Sequence, residues 1–529
     1  MRDLHLPGRS PVFAQDAMVA TSHPLAVAVA LDTLRSGGTA MDAALAGAVL
    51  LGLCEPQMTG IGGDLFALVA PAPDAPVVAF NGSGRAPAGA DALALRTGGA
   101  GEMPISTAEA VTVPGAVDGM FQLAERFGQL GMEAVLAPAI HYAEHGVPVA
   151  PRVAFDWDQA IGTLASSPTP NARAIYLPSG QAPAVGQMHY NPKMAEALRL
   201  VAKEGRGAFY EGPIGEDIVA TLRALGGTHT LDDLAMTRGE WAEPIMTTYG
   251  NYEVVEHPPN GQGATALLIL NMLKHFELSK MDPFGANRAH IEAEITKSAY
   301  DARNQLIADP DHSAAVEEML DAGTAARLAA RVNPARASAP VVEAPGAPHR
   351  DTIYITVVDR DRMAVSLIYS IFHSFGSGIA TDRYGILLHN RGAGFNLIPG
   401  HPNEYGPGKR PMHTIIPGML RQKGAVIMPF GVMGGAYQAT GHGRFVSNLE
   451  DYGLSPQESI DAPRSFAEGA TLKMERGYPS KVHSALSEMG HQIEIPATPI
   501  GGAQAILMHK SGLLEGASDP RKDGCALGY

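Results

Sequence analysis

The chain has 529 residues, 45% of them hydrophobic, and a formal net charge of −15. That acidity argues against nucleic acid or an anionic membrane as partner, since both select a basic surface. Two cysteines, Cys54 and Cys525, exclude a disulfide framework or a cysteine-rich metal centre. No stretch approaches the roughly 20 apolar residues that span a bilayer, and the first twenty residues lack a secretory apolar core, so a cytoplasmic protein is expected.

The elements follow in chain order. Residues Pro24 to Leu53 read as two helices divided by Ser36-Gly37-Gly38. Thr39 caps the second, with Asp42 three residues on as in a capping box. Short strands follow at Leu65 to Val69 and Val77 to Phe80. From Ala116 to Leu328 the pattern is mostly helical, with helices expected at 116–127, 194–203, 214–225, 264–276 and 289–305. A last helix, 314–332, leads to a linker.

That linker, Asn333 to Arg350, holds four prolines and five alanines and has no helical or strand periodicity. A strand pattern then begins abruptly at Thr352. Thr352 to Val358 and Met363 to Phe372 read as a hairpin turning at Asp359-Arg360-Asp361-Arg362. Further strands are expected at 386–389, 414–420, 425–430 and 504–508, with helices at 445–451 and 456–462. Long helices before the linker and paired strands after it predict an α+β layered fold.

A threonine freed as a new N-terminus can serve as nucleophile and base together. Its hydroxyl attacks, and its α-amino group, with an ordinary pKa of about 7.7–8.0, takes the proton. Locally, Thr352 also reads simply as a strand former after a loop. Other motifs fail. Gly60-Ile61-Gly62-Gly63 lacks the third glycine of a dinucleotide fingerprint, and Gly82-Ser83-Gly84 is not a nucleophile elbow. His349, His373, His389, His401, His413 and His442 are frequent, but none pairs at i, i+4 on a helix with a glutamate. No metal and no cofactor is expected.

From about Met18 to Tyr529 the chain resembles the γ-glutamyltransferase (γ-glutamyl transpeptidase) family of N-terminal-nucleophile hydrolases. The resemblance is carried by the strings beginning at Ser36, Gly60, Thr112, Phe375, Gly385, Pro407, Met433, Asp461 and Gly516, in order and at family-like spacing. It implies a four-layer αββα sandwich formed jointly by two chains of one precursor, which cuts itself between Asp351 and Thr352. The large chain would be 1–351, with its linker at 333–350, and the small chain 352–529. Thr352 would be the nucleophile, Ser370 a hydroxyl partner to it, and Gly434 and Gly435 the oxyanion hole. The partners implied are the two chains themselves and a small-molecule amide; the expected unit is the pair of chains, single or doubled to a dimer.

Departures from the family pattern concern the substrate. Where relatives place a carboxylate-binding arginine, this chain has Ser83, and Arg85 comes two residues late. The asparagine of the hairpin's second strand is Phe372. A glutamine and the amine-binding aspartate are replaced by Arg391 and Gly394, and a serine pair by His413 and Thr414. Losing an acidic partner and gaining Arg391 favours a carboxylate over an α-ammonium. The expected activity is hydrolysis of a small carboxylate-bearing amide, of oxamate or acylase type. Two alternatives stay open: a γ-glutamyl hydrolase or transpeptidase acting on glutathione or γ-glutamyl amides, with Arg85 replacing the lost arginine, and an unprocessed, inactive metabolite-binding homologue.

Overall fold

The computed structural model describes residues 8–312, 316–339 and 352–529. Asp351, and with it the expected cut, lies outside the described residues. Two seven-stranded sheets stack face to face. One runs, edge to edge, Cys525–Gly528, Met18–Thr21, Ile353–Val358, Ala364–Ser370, Asp64–Ala70, Val78–Gly82 and Glu240–Ala242. The other runs Val12–Ala14, Leu514–Ser518, Gly502–Met508, Ala425–Met433, Gly418–Gln422, Tyr252–Glu256 and Ile245–Tyr249. Their strand pairs are antiparallel.

Alternation within each strand builds the layers. Ile353, Ile355 and Val357 face outward into a core shared with helices Pro24–Arg35 and Ala40–Cys54. Tyr354 and Val358 face inward, onto the second sheet. Beyond that sheet, helices Gly263–Leu273, Ala286–Leu306 and Tyr437–Tyr452 close the fourth layer. The fold is the expected αββα sandwich. Both sheets interleave strands from before and after residue 352.

Most expected elements are present: the Thr39–Asp42 capping box, helix Ala116–Phe127 and the hairpin Ile353–Val358 with Ala364–Ser370. Four differ. The expected helix 314–332 is two, Val316–Leu320 and Ala322–Ala329, because Asp321 accepts from Thr324 N and starts a new helix. The helical middle also holds the hairpin Ile245–Tyr249 with Tyr252–Glu256, turning at Gly250-Asn251. Residues 386–389 make only isolated bridges, Ala380 to Leu387 and Gly62 to Leu388. Helix Tyr437–Tyr452 begins eight residues before Phe445. Within its added turns, Gly441 and Gly443 are close-packing positions where an added Cβ would lie 2.6 Å from Val432 and 2.8 Å from Ile269.

Candidate active site

Strand register assembles the site. Ile353 pairs with Tyr369, so Thr352 stands opposite Ser370; Ser370 pairs with Asp64; Leu65 pairs with Gly82, which brings Ser83 beside Asp64. By alternation these residues point toward the second sheet, like their neighbours Tyr354, Ile368 and Phe66, which pack against Ile415 and Met433. Thr352, Ser370, Asp64 and Ser83 therefore form one buried polar row across the end of four strands.

The Thr352 hydroxyl donates to Ser370 Oγ at 3.4 Å. Ser370 Oγ accepts from Phe372 N at 2.9 Å. Phe372 takes φ = +77°, a left-handed conformation that a bulky residue adopts at a cost of about 1–3 kcal/mol. The turn lays its ring under the Arg391 guanidinium, 4.1 Å from the ring centre.

Arg391 opens a short 3₁₀ turn, Arg391–Gly394, and its side chain is fully buried. None of its guanidinium nitrogens has a hydrogen-bond partner among the described residues. Asp64 Oδ2 is near, but at 3.8 Å from Nε it makes no hydrogen bond. Burial pulls the Arg391 pKa down to about 9, with Asp64 pulling the other way, so the group is still charged at neutral pH.

Asp64 is occupied by internal partners. Oδ1 accepts from Gly84 N and Gly115 N, both at 3.1 Å. Oδ2 lies 3.2 Å from His389 Nδ1 and 3.4 Å from His413 Nε2. Burial opposes its ionisation, yet His389 and His413 outweigh burial and hold the carboxyl below the usual carboxylate range. Burial, and then the charge of Arg391, push the His413 pKa down to about 3, which leaves its imidazole neutral. His389 Nε2 sits 2.8 Å from the Thr112 carbonyl.

Other sequence-predicted residues take varied places. Ser83 Oγ donates to Asn81 at 2.6 Å, and Asn81 donates to Asn260, so that hydroxyl is held within the wall. Arg85 is drawn off by Asp309, Glu240 and Asp311 at 2.9, 3.0 and 3.1 Å. That triple pairing removes the reason to cast it as a replacement for the lost arginine. Gly394 closes the Arg391 turn, and an added Cβ there would meet the Met412 carbonyl at 2.6 Å. Gln262 Nε2 donates to both Thr414 O, at 2.8 Å, and Gly435 O, at 3.0 Å, which ties the His413-Thr414 segment to the glycine pair.

Gly434 and Gly435 lie where strand Ala425–Met433 ends and helix Tyr437–Tyr452 begins. Their φ values are +118° and +58°. A Cβ at Gly434 would lie 2.8 Å from Gly501 Cα, so chain direction and packing both demand glycine there. Asp64 and His389 were not given roles from sequence. Asp64 ends the Gly60-Ile61-Gly62-Gly63 loop, and that position directly before a strand was the available signal.

The sequence profile described as gamma-glutamyltranspeptidase matches residues 26–529. The chain belongs to that family. Among its relatives is the glutathione hydrolase-like YwrD proenzyme of Bacillus subtilis, 35% identical, the match covering 98% of this chain and 99% of the relative. The oxamate amidohydrolase proenzyme of Klebsiella pneumoniae is 34% identical over 97% of this chain and 98% of that one. In structure, the cephalosporin acylase from Bacillus halodurans superposes with a TM-score of 0.92 at 37% identity, covering 100% of this chain and 98% of the other. The γ-glutamyltranspeptidase-like chain is thus an enzyme with the N-terminal-nucleophile hydrolase fold.

Proposed function

We propose that this enzyme cuts itself before Thr352 and then hydrolyses a small amide whose acyl part bears a carboxylate. The observation that carries the reading is Arg391: a buried, charged guanidinium without a hydrogen-bond partner among the described residues, stacked on the residue that donates to Ser370. Leaving such a group unpaired is costly, and a bidentate carboxylate satisfies it. An α-ammonium would meet Arg391 and find Asp64 already engaged by two backbone N–H groups and two imidazoles.

In the proposed maturation, Thr352 Oγ1 attacks the carbonyl of Asp351 and the peptide becomes an ester. Water hydrolyses the ester and frees the Thr352 amine, giving chains 1–351 and 352–529. In turnover the same hydroxyl attacks the substrate amide and the α-amino group takes its proton. The oxyanion is met by the N–H groups of Gly434 and Gly435, the amine leaves protonated, and water releases the acid from the Thr352 ester. Ser370 orients the hydroxyl, and Arg391 over Phe372 fixes the carboxylate. Two relatives support this class, one named for oxamate, an amide with an adjacent carboxylate, and one named a cephalosporin acylase.

The test is intact mass and N-terminal sequencing of the wild type beside Thr352→Ala, followed by assay on oxamate, other carboxylate-bearing amides and a γ-glutamyl nitroanilide. The expected result is a fragment beginning Thr-Ile-Tyr-Ile in the wild type alone, with turnover of the carboxylate amides. A single uncut chain in both would overturn self-processing; preference for the γ-glutamyl nitroanilide would overturn the substrate class.

A further inference from the structure

Helix Ala286–Leu306 places His290 and Glu294 one turn apart on a single face. Across from them stands His491. Its position is set by the end of helix Ser480–Glu488: Gly490 takes φ = +100° and His491 N donates to the Leu486 carbonyl at 3.0 Å. One ligand atom each from His290, Glu294 and His491 lies within 4.8 Å of the others, and the three residues are buried. His290 and Glu294 are thus an i, i+4 histidine–glutamate pair on a helix that precedes the histidine-rich stretch after residue 348.

The surroundings are arranged as around a metal ligand set. His290 Nε2 lies 2.7 Å from the Asn333 carbonyl, which can only accept. Nε2 therefore carries the proton, and the Nδ1 lone pair points at His491 Nε2, 2.8 Å away. A backbone carbonyl fixing the far nitrogen of a histidine is the usual support of a metal-binding imidazole. Glu294 Oε2 is steadied by Ser338 N at 3.0 Å. One contact opposes an ion: Lys297 Nζ sits 2.7 Å from Glu294 Oε1. That ammonium also donates to the Ser338 carbonyl at 3.2 Å, a partner other than the carboxylate.

We propose that His290, Glu294 and His491 form a site for a divalent transition-metal ion of the zinc class, with water at a fourth position. The groups around the site explain what it would do. Asn333 and Ser338 belong to the segment leading to the expected cut, and Ala337 N donates to Met489 O at 2.7 Å. The ion would staple that segment, through helix Ala286–Leu306, to the region of His491. In a cut molecule the staple would join the end of the large chain to the small chain; the site itself does not depend on cutting.

The test is Co²⁺ titration of the full-length protein after dialysis against a chelator, followed by visible absorption and by the thermal midpoint. Wild type should bind one equivalent with the intense absorption of four-coordinate Co²⁺ and a raised midpoint. His491→Ala should lose at least roughly tenfold in affinity, the lower end of the losses seen around metal sites. Lys297→Ala, which removes the competing ammonium, should bind Co²⁺ more tightly, a gain that misfolding cannot produce. Stoichiometric binding that survives in His491→Ala, or unchanged or weaker binding in Lys297→Ala, would overturn the site.

Discussion

Arg521 and Arg391 are both buried, in surroundings that are opposites. Near the C-terminus, Arg521 holds Glu475 with two parallel bonds, Nε to Oε1 at 2.8 Å and Nη2 to Oε2 at 2.6 Å. It also donates to Asp519 and to the carbonyls of Ile460 and Ala462. Beside it Arg464 pairs with the same Asp519. At the end of the sheet holding Thr352, Arg391 has an aromatic face beneath it, a carboxylate just out of reach and no hydrogen bond among the described residues. One guanidinium completes the fold; the other is held open by it. Backbone strain marks the same end: Phe372 and Phe375 take φ of +77° and +59°. Strain and unmet polar groups persist where the surrounding structure over-determines them, as at ligand sites.

The largest test of this contrast is Arg521→Ala. It strands Glu475 and Asp519 and should lower stability by about 3–5 kcal/mol, read as a fallen thermal midpoint. Arg391→Ala should do the reverse in kind. It removes an unpaired buried charge and leaves a cavity, two effects that offset, so the midpoint should barely move. The Michaelis constant for a carboxylate-bearing amide should instead rise at least roughly tenfold, about 1.4 kcal/mol. A large drop in midpoint with an unchanged Michaelis constant would erase the distinction.

The pH profile sharpens it further. Arg391 is charged below its pKa of about 9 and loses that charge as pH rises through it. Binding of a carboxylate should therefore hold below about pH 9 and weaken above, in kcat/KM more than in kcat, because a bound carboxylate keeps the guanidinium protonated. The alkaline limb should vanish in Arg391→Ala. Smallest is Phe372→Leu, which takes away a cation–π contact of about 0.5–2 kcal/mol and should raise the Michaelis constant severalfold.

Much of this was legible in the residues. The abrupt β-branched run after the linker located the hairpin, because such residues suit a pleated strand, here buried on both faces, and a proline-rich linker cannot pair. Arg391, Phe372 and His413 stood out where the family pattern breaks, and the structure sets Arg391 and His413 beside Asp64, with Phe372 beneath Arg391. Asp64 itself was hidden. A single aspartate after a glycine loop carries no periodicity, and only strand register reveals that it lies opposite Ser370. The pairing of Arg85 with Asp309, Glu240 and Asp311 was equally invisible, since it joins residues more than 150 positions apart. The first two turns of helix Tyr437–Tyr452 were also missed; they hold Gly441 and Gly443, which let Val432 and Ile269 approach closely.

The interleaving of strands ties the two sides of residue 352 together. In the sheet that carries Thr352, Ile353–Val358 lies between Met18–Thr21 and Ala364–Ser370, and Ala364–Ser370 in turn between Ile353–Val358 and Asp64–Ala70. Neither side of residue 352 owns a finished sheet, and each would present raw edges alone. The proposed cut before Thr352 would therefore divide both sheets, and each sheet would stay whole only through strand pairs between the two pieces. The two pieces would be complementary parts of each sheet, and neither could be exchanged as an independent module.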